Sequence, residues 1–156
     1  MSIDIVPAHL AVQAMRDNGY KNAAYAIAEL IDNSIQAGAK VVELLCAERT
    51  ELVNQRGRSR IYQVAVLDNG SGMDTEVLTM ALQFGNGMHL TKEQQKGIGK
   101  FGMGLPSASI SQCTKVEVWS WQNGPESSLY TYLDIDKIRN RQQTSIPQPE
   151  PRTIPA

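Results

Sequence analysis

The sequence predicts an α/β (α+β) domain with helices packed on a β-sheet, and three observations carry that prediction. Apolar residues Ala24, Ile27, Ala28, Ile31 and Ile35 recur at helical spacing between Asn22 and Ala37. Two pairs of apolar or alternating runs, 40–47 with 61–67 and 115–121 with 129–133, have the length and composition of strands. Between the pairs lies a loop with glycines at 97, 99, 102 and 104, which leads directly into a second helical stretch. At 156 residues this is one domain's worth of chain, long enough to bury about two-thirds of its surface.

Each element has a local reason. Pro7 to Asn18 reads as a short opening helix, with proline in its first turn, apolar Leu10, Val12, Ala14 and Met15, and Asn18-Gly19 as a stop. The helix from Asn22 to Ala37 ends at Gly38, a C-cap residue. Its second stripe is polar: Glu29, Asn33 and Gln36 stack on one face, with Asp32 at the edge. The runs 40–47 and 61–67 read as paired strands separated by a charged loop from Glu48 to Arg60. The second runs straight into the turn Asp68-Asn69-Gly70-Ser71-Gly72-Met73, after which Thr75 to Phe84 reads as a helix. Leu105 to Ile110 starts another, with Pro106 near its first turn. The strands 115–121 and 129–133 flank the turn Asn123-Gly124-Pro125. From Arg139 onward Pro147, Pro149, Pro151 and Pro155 sit among polar residues, so the division expected is a domain over 1–138 and a proline-rich linker or extended arm over 139–156.

A net charge of −1 offers no general field for nucleic acid or anionic lipid. No run approaches the roughly 18 apolar residues of a membrane span, and Met1-Ser2-Ile3-Asp4 is no signal peptide, so no membrane partner and a cytoplasmic location are expected. Cys46 and Cys113 stand apart from each other and from His9 and His89, which excludes zinc spacing and reads as reduced core thiols.

The glycine loop invites a phosphate reading, because glycines bring bare N–H groups close to a ligand and the following helix start is positive. Gly97-x-Gly99-x-x-Gly102 fits the dinucleotide fingerprint, but no strand precedes it and no acid lies about 20 residues on, near Gln122. A kinase loop needs valine where Gly104 stands. A P-loop needs glycine at Gln94 and Ser or Thr at Phe101. What remains is a phosphate loop of another kind, or a plain connector.

Three motifs together give one reading. Glu-Leu-Ile-Asp-Asn-Ser at 29–34, Asp-Asn-Gly-Ser-Gly-Met at 68–73 and Gly-x-Gly-x-Phe-Gly-x-Gly at 97–104 resemble, in that order, the ATP-binding motifs of the GHKL superfamily, over roughly residues 8–135. That superfamily takes in gyrase B, the heat-shock chaperone, histidine kinases, MutL and the microrchidia ATPases. The resemblance implies a two-layer sandwich of helices on one face of a mixed β-sheet, the Bergerat-type ATP-binding fold. ATP and Mg2+ are the cofactors it implies. Asn33 is then the magnesium ligand, since magnesium keeps several waters and needs few protein oxygens. Glu29, one turn earlier, is the base that orients or deprotonates water, a role worth roughly 10²–10⁴ in rate. Asp68 accepts from the amino group of adenine and disfavours guanine, which presents an oxygen there. Gly70 and Gly72 allow close approach to the base, and Met73 packs on its apolar face. In the loop, Lys100 is a phosphate contact, and Phe101, Gly102, Met103 and Gly104 line the phosphates with their amides.

By the same resemblance 84–100 is a lid, ATP binding drives dimerisation, and Met1 to Gly19 meets the second subunit. Relatives continue into a further strand and many take a γ-phosphate lysine from a following domain; this chain runs instead into its proline-rich stretch, which reads as a C-terminal truncation or a naturally reduced protein. Two alternatives stand beside a slow ATPase switch: a non-catalytic ATP-binding module and a histidine-kinase-like catalytic domain. A kinase has no need to activate water, so Glu29 favours hydrolysis.

Overall fold

The structure is a computed structural model that describes residues 7–17, 19, 22–83 and 104–156. The expected lid over 84–100, the loop residues Lys100, Phe101, Gly102 and Met103, and Met1 to Val6 lie outside the described residues. In chain order the elements are α1 (Ala8–Asp17), α2 (Ala23–Gln36), β1 (Val42–Val53), β2 (Arg56–Asp68), α3 (Thr75–Ala81), α4 (Gly104–Gln112), β3 (Lys115–Ser120), β4 (Leu129–Asp134), α5 (Ile135–Arg139) and β5 (Glu150–Pro151).

The capping signals operate as read, but the apolar stripe of α2 expected to face the core does not do so: Ala24, Ala28 and Ile35 are exposed, and the buried residues of the helix are Ala26 and Ser34. Asn22 caps α2, its side chain accepting from the Tyr25 amide at 3.1 Å, and Asp74 caps α3 in the same way through Val77. At the other end of α2, Gly38 takes a φ of +77°, and the Ala39 amide reaches back to the Ser34 carbonyl at 3.1 Å. Pro106 is fully buried in the first turn of α4, where its missing N–H costs nothing.

The α+β class holds, with one refinement of the sheet. Among the described residues the strands form two antiparallel sheets, β1-β2 and β3-β4-β5, in place of one mixed sheet. The connections explain it: short links between β1 and β2 and between β3 and β4 permit only antiparallel pairing, since parallel neighbours need a long crossover.

The β1-β2 hairpin also overturns the charged loop expected at 48–60. Both strands run through that segment and meet at the two-residue turn Asn54-Gln55, whose φ values of 50° and 64° suit the right-handed twist of a hairpin. Charge misled the reading because this hairpin stands largely in solvent, where Glu51 pairs with Arg49 at 2.7 Å and with Arg60 at 3.4 Å. Cys46 lies exposed on β1 and is not the core thiol expected. Cys113 is partly buried; burial raises its pKa, and its thiol donates to the Ser109 carbonyl at 3.0 Å.

The core sits where helices meet the β3-β4 face. Val116 lies opposite Leu133 and Val118 opposite Thr131, so one face presents these four inward. Leu82, Ile110, Leu133, Ile135 and Ile138 form the buried cluster, with Val12, Met15, Leu105 and Ile146 packed around it. Helices α1, α4 and α5 thus share one layer over the sheet, and α2 packs on α4.

The proline-rich stretch is laid along β4. Gln143 is buried; its carbonyl accepts from the Asp134 amide at 2.9 Å while its amide donates to the Tyr132 and Ser145 carbonyls. Thr131 donates to the Pro147 carbonyl at 2.8 Å, Glu150 and Pro151 pair with β4, and the Arg152 guanidinium lies 3.9 Å from the centre of the Tyr130 ring. Prolines are tolerated because this is an edge strand. Beneath it, Tyr130 donates to Glu117 at 2.6 Å; burial first, and then that hydrogen bond, raise the tyrosine's pKa.

Two substitutions test this framework. Gln143→Ala should cost about 2 kcal/mol, because it leaves the Asp134 amide and the Tyr132 carbonyl buried without their partner; urea denaturation reads the loss. Gly72→Ala should cost about 2 kcal/mol or more by the same measurement, since φ there is +67° and an added Cβ would run into the Trp121 carbonyl.

Candidate functional site

The turn after β2 is a junction between two elements distant in sequence. Asp68 closes on itself first: its Oδ1 accepts from the Gly70 amide at 2.8 Å. Its other oxygen, Oδ2, accepts from the Ser34 hydroxyl at 2.9 Å, which joins the end of β2 to α2 across 34 residues. Asn69 continues the work, its Oδ1 accepting from the Lys40 and Val41 amides at 2.8 and 2.9 Å and so fixing the entry to β1. The Ser71 amide then donates to the Ala37 carbonyl at 2.9 Å, just past the end of α2.

Both glycines of the turn have a reason internal to the fold. A Cβ on Gly70 would lie 2.9 Å from the Ala37 carbonyl oxygen, so glycine is what lets the turn press against the end of α2. Gly72 approaches the Trp121 backbone more closely still, so that a Cβ there would collide with the Trp121 carbonyl, and the next residue, Met73, donates its amide to the buried Ser120 hydroxyl at 2.7 Å. The turn is therefore held on one side by α2 and on the other by the end of β3.

Glu29 and Asn33 lie one turn apart on α2, both partly exposed, and Asn33 immediately precedes Ser34. Helix α4 packs against α2 and begins at Gly104, where the glycine loop ends. Its first N–H groups have no partner within the helix, as at every helix start. The structure thus joins the helix that bears Glu29 and Asn33 to Asp68 and the Gly70–Met73 turn, and packs α4 against that same helix. Lys100, Phe101, Gly102 and Met103 lie outside the described residues.

The donor set suits an adenine nucleotide. Each Asp68 oxygen has accepted one internal hydrogen bond and keeps further lone-pair capacity, so the carboxylate is oriented yet still able to accept. Asn33 offers a single amide oxygen from a partly exposed helix face, a mode compatible with magnesium, which takes the rest of its shell from phosphate and water. Among the described residues, no helix is long and apolar enough to cross a membrane.

Two residues here were given no role from sequence. Ser34 lies inside the first motif and is only 4% exposed; a hydroxyl on the apolar side of an amphipathic helix, next to the polar face, was the available signal. Ser120 ends a strand of alternating pattern and gave no signal, because its partner comes from 47 residues away.

Residues 20–155 match the family of histidine kinase-, DNA gyrase B- and HSP90-like ATPases. Among curated proteins, the chain is 38% identical over 85 residues to ATPase MORC2B of Mus musculus, covering 54% of this chain and 8% of that protein. It is 32% identical over 122 residues to the DNA mismatch repair protein MutL of Aliivibrio salmonicida, covering 77% of this chain and 17% of that one. The MutL of Pseudoalteromonas translucida is 34% identical over 136 residues, with 78% of this chain and 20% of the relative covered. The chain thus spans no more than a fifth of these relatives. With three motifs in order, the first two joined in the fold by the Ser34–Asp68 hydrogen bond, and a family match across most of its length, the chain belongs to the GHKL superfamily of ATPases.

Proposed function

We propose that this chain binds ATP with magnesium where α2, the 68–73 turn and the start of α4 converge, and hydrolyses it slowly as a nucleotide-gated conformational or dimerisation switch. The observation that carries the reading is the Ser34–Asp68 hydrogen bond, which ties the helix bearing Glu29 and Asn33 to the turn bearing the base acceptor. Asp68 accepts from the adenine amino group, Gly70 and Gly72 shape the turn beside the base, and Met73 packs on its apolar face. Gly102 and Gly104 supply amides to the phosphates, with Lys100 as a further contact and Phe101 and Met103 within the same loop.

Asn33 would hold magnesium, whose charge neutralises the phosphates. Glu29 orients or deprotonates the attacking water, so that hydrolysis rather than transfer to a protein side chain follows. The match to an ATPase family and the relative named as an ATPase support the ATP reading; a homodimer formed on ATP binding is the partner proposed, with other protein or nucleic-acid partners left to the whole protein. The residues over 1–138 carry the proposed ATP-binding unit, and 139–156 follow it.

Calorimetric titration and a turnover assay test the division of roles. Glu29→Ala should retain ATP binding and lose about 10²-fold or more in hydrolysis, whereas Asn33→Ala should weaken binding only when magnesium is present. Equal loss of binding in both variants would defeat the assignment. A chain that binds ATP tightly with no turnover, and is unaffected by Glu29→Ala, would be the non-catalytic module instead. Asp68→Asn should lower ATP affinity by about tenfold and relax selection against GTP, because the new amide can donate as well as accept; an unchanged preference would remove Asp68 from the base site.

A further inference from the structure

We infer that Ser34 is the positioning residue that sets base selection, by fixing the orientation of the Asp68 carboxylate. The inference rests on the reading of Asp68 as the base acceptor.

An ionised carboxylate can only accept hydrogen bonds, and its two oxygens offer about four sites between them. Which of those sites face the ligand depends on the rotation of the carboxylate about its last torsion, which is intrinsically broad. Two internal donors restrict that rotation: the Gly70 amide on Oδ1 at 2.8 Å and the Ser34 hydroxyl on Oδ2 at 2.9 Å. The first belongs to the turn itself and follows the carboxylate wherever the turn goes. The second comes from a different element and is the one that ties Asp68 to α2.

The Ser34 hydroxyl has one hydrogen and two acceptors within reach, Asp68 Oδ2 at 2.9 Å and the Leu30 carbonyl at 3.2 Å. The charged acceptor is both nearer and stronger, so the hydrogen goes to Asp68. At 4% exposure the serine is sheltered from water, and solvent cannot readily replace it as a donor. Without the hydroxyl, Asp68 keeps its charge and its Gly70 contact but is free to turn. It then accepts from an amino group less well and excludes a base that presents a carbonyl less strictly. The expected signature is a change in the ratio of ATP to GTP affinity, which loss of general packing would leave alone. Ser34 also adjoins Asn33, so the same bond sets the helix carrying the proposed magnesium ligand against the base site.

The test is titration calorimetry of ATP and GTP, with magnesium, into the 156-residue chain and its Ser34→Ala, Ser34→Cys and Asp68→Asn variants, with melting temperatures measured alongside. Cysteine keeps the bulk of serine but donates weakly, so Ser34→Cys serves if Ser34→Ala does not fold. The ATP-to-GTP affinity ratio should fall by on the order of tenfold in both Ser34 variants, with ATP losing more than GTP. An unchanged ratio in the folded Ser34 variants, including equal loss for both nucleotides, makes the serine a packing residue and overturns the inference. If the ratio nevertheless collapses in Asp68→Asn, the base-site reading survives that failure. An unchanged ratio in Asp68→Asn overturns the reading and the inference together.

Discussion

The arrangement of this protein depends on one short turn. Residues 68–73 have to touch the end of α2 and the end of β3 at once, and the turn's own backbone amides make two of those contacts. Ser71 reaches the Ala37 carbonyl, Met73 reaches Ser120, and the two glycines leave out the Cβ atoms that would push the partners away. Hydrogen bonds of this kind contribute only about 1 kcal/mol each on balance, but leaving their buried groups unpaired costs more. The turn therefore acts less as a source of stability than as a geometric constraint that admits one relative placement of helix and sheet.

That constraint explains why Asp-Asn-Gly is more than a common turn sequence here. Asp68 braces the turn through Gly70 and reaches α2 through Ser34, Asn69 holds the start of β1, and Gly70 lies against Ala37. A carboxylate supported in this way from two directions is pre-oriented, which is what a selective acceptor needs, because orientation settled before a ligand arrives need not be paid for during binding. The same bonds bring the partly exposed Glu29/Asn33 face into fixed relation with the turn. Structural support and the proposed ligand chemistry thus fall on the same few atoms.

The sheet that backs this site has a different logic. On its inner face Val116, Val118 and Leu133 meet helices; beyond its edge, the proline-rich stretch is attached through Gln143, Thr131 and Arg152. A glutamine side chain that both accepts from and donates to a strand's backbone mimics the pairing of another strand while the chain around it follows an irregular path. The β1-β2 hairpin lies at the other extreme, with Leu45, Leu52 and Ile61 more than half exposed.

Much of this was legible in order of residues. Helical periodicity placed α1 and α2, caps at Asn22 and Gly38 set the ends of α2, and the spacing of three motifs identified the family before any contact was known. These features are local, and local geometry is what a sequence encodes directly through propensity and period. The tertiary structure decided the rest. Charged residues 48–60 form strands because a solvent-facing hairpin does not need apolar alternation, Cys46 is exposed for the same reason, and Ser120 and Gln143 gain their roles from partners that folding brings near. Ser34 marks the boundary between the two: its place in a motif could be read, but its hold on Asp68 exists only once folding brings its hydroxyl within 2.9 Å of the Asp68 carboxylate, a distance no one-dimensional pattern contains.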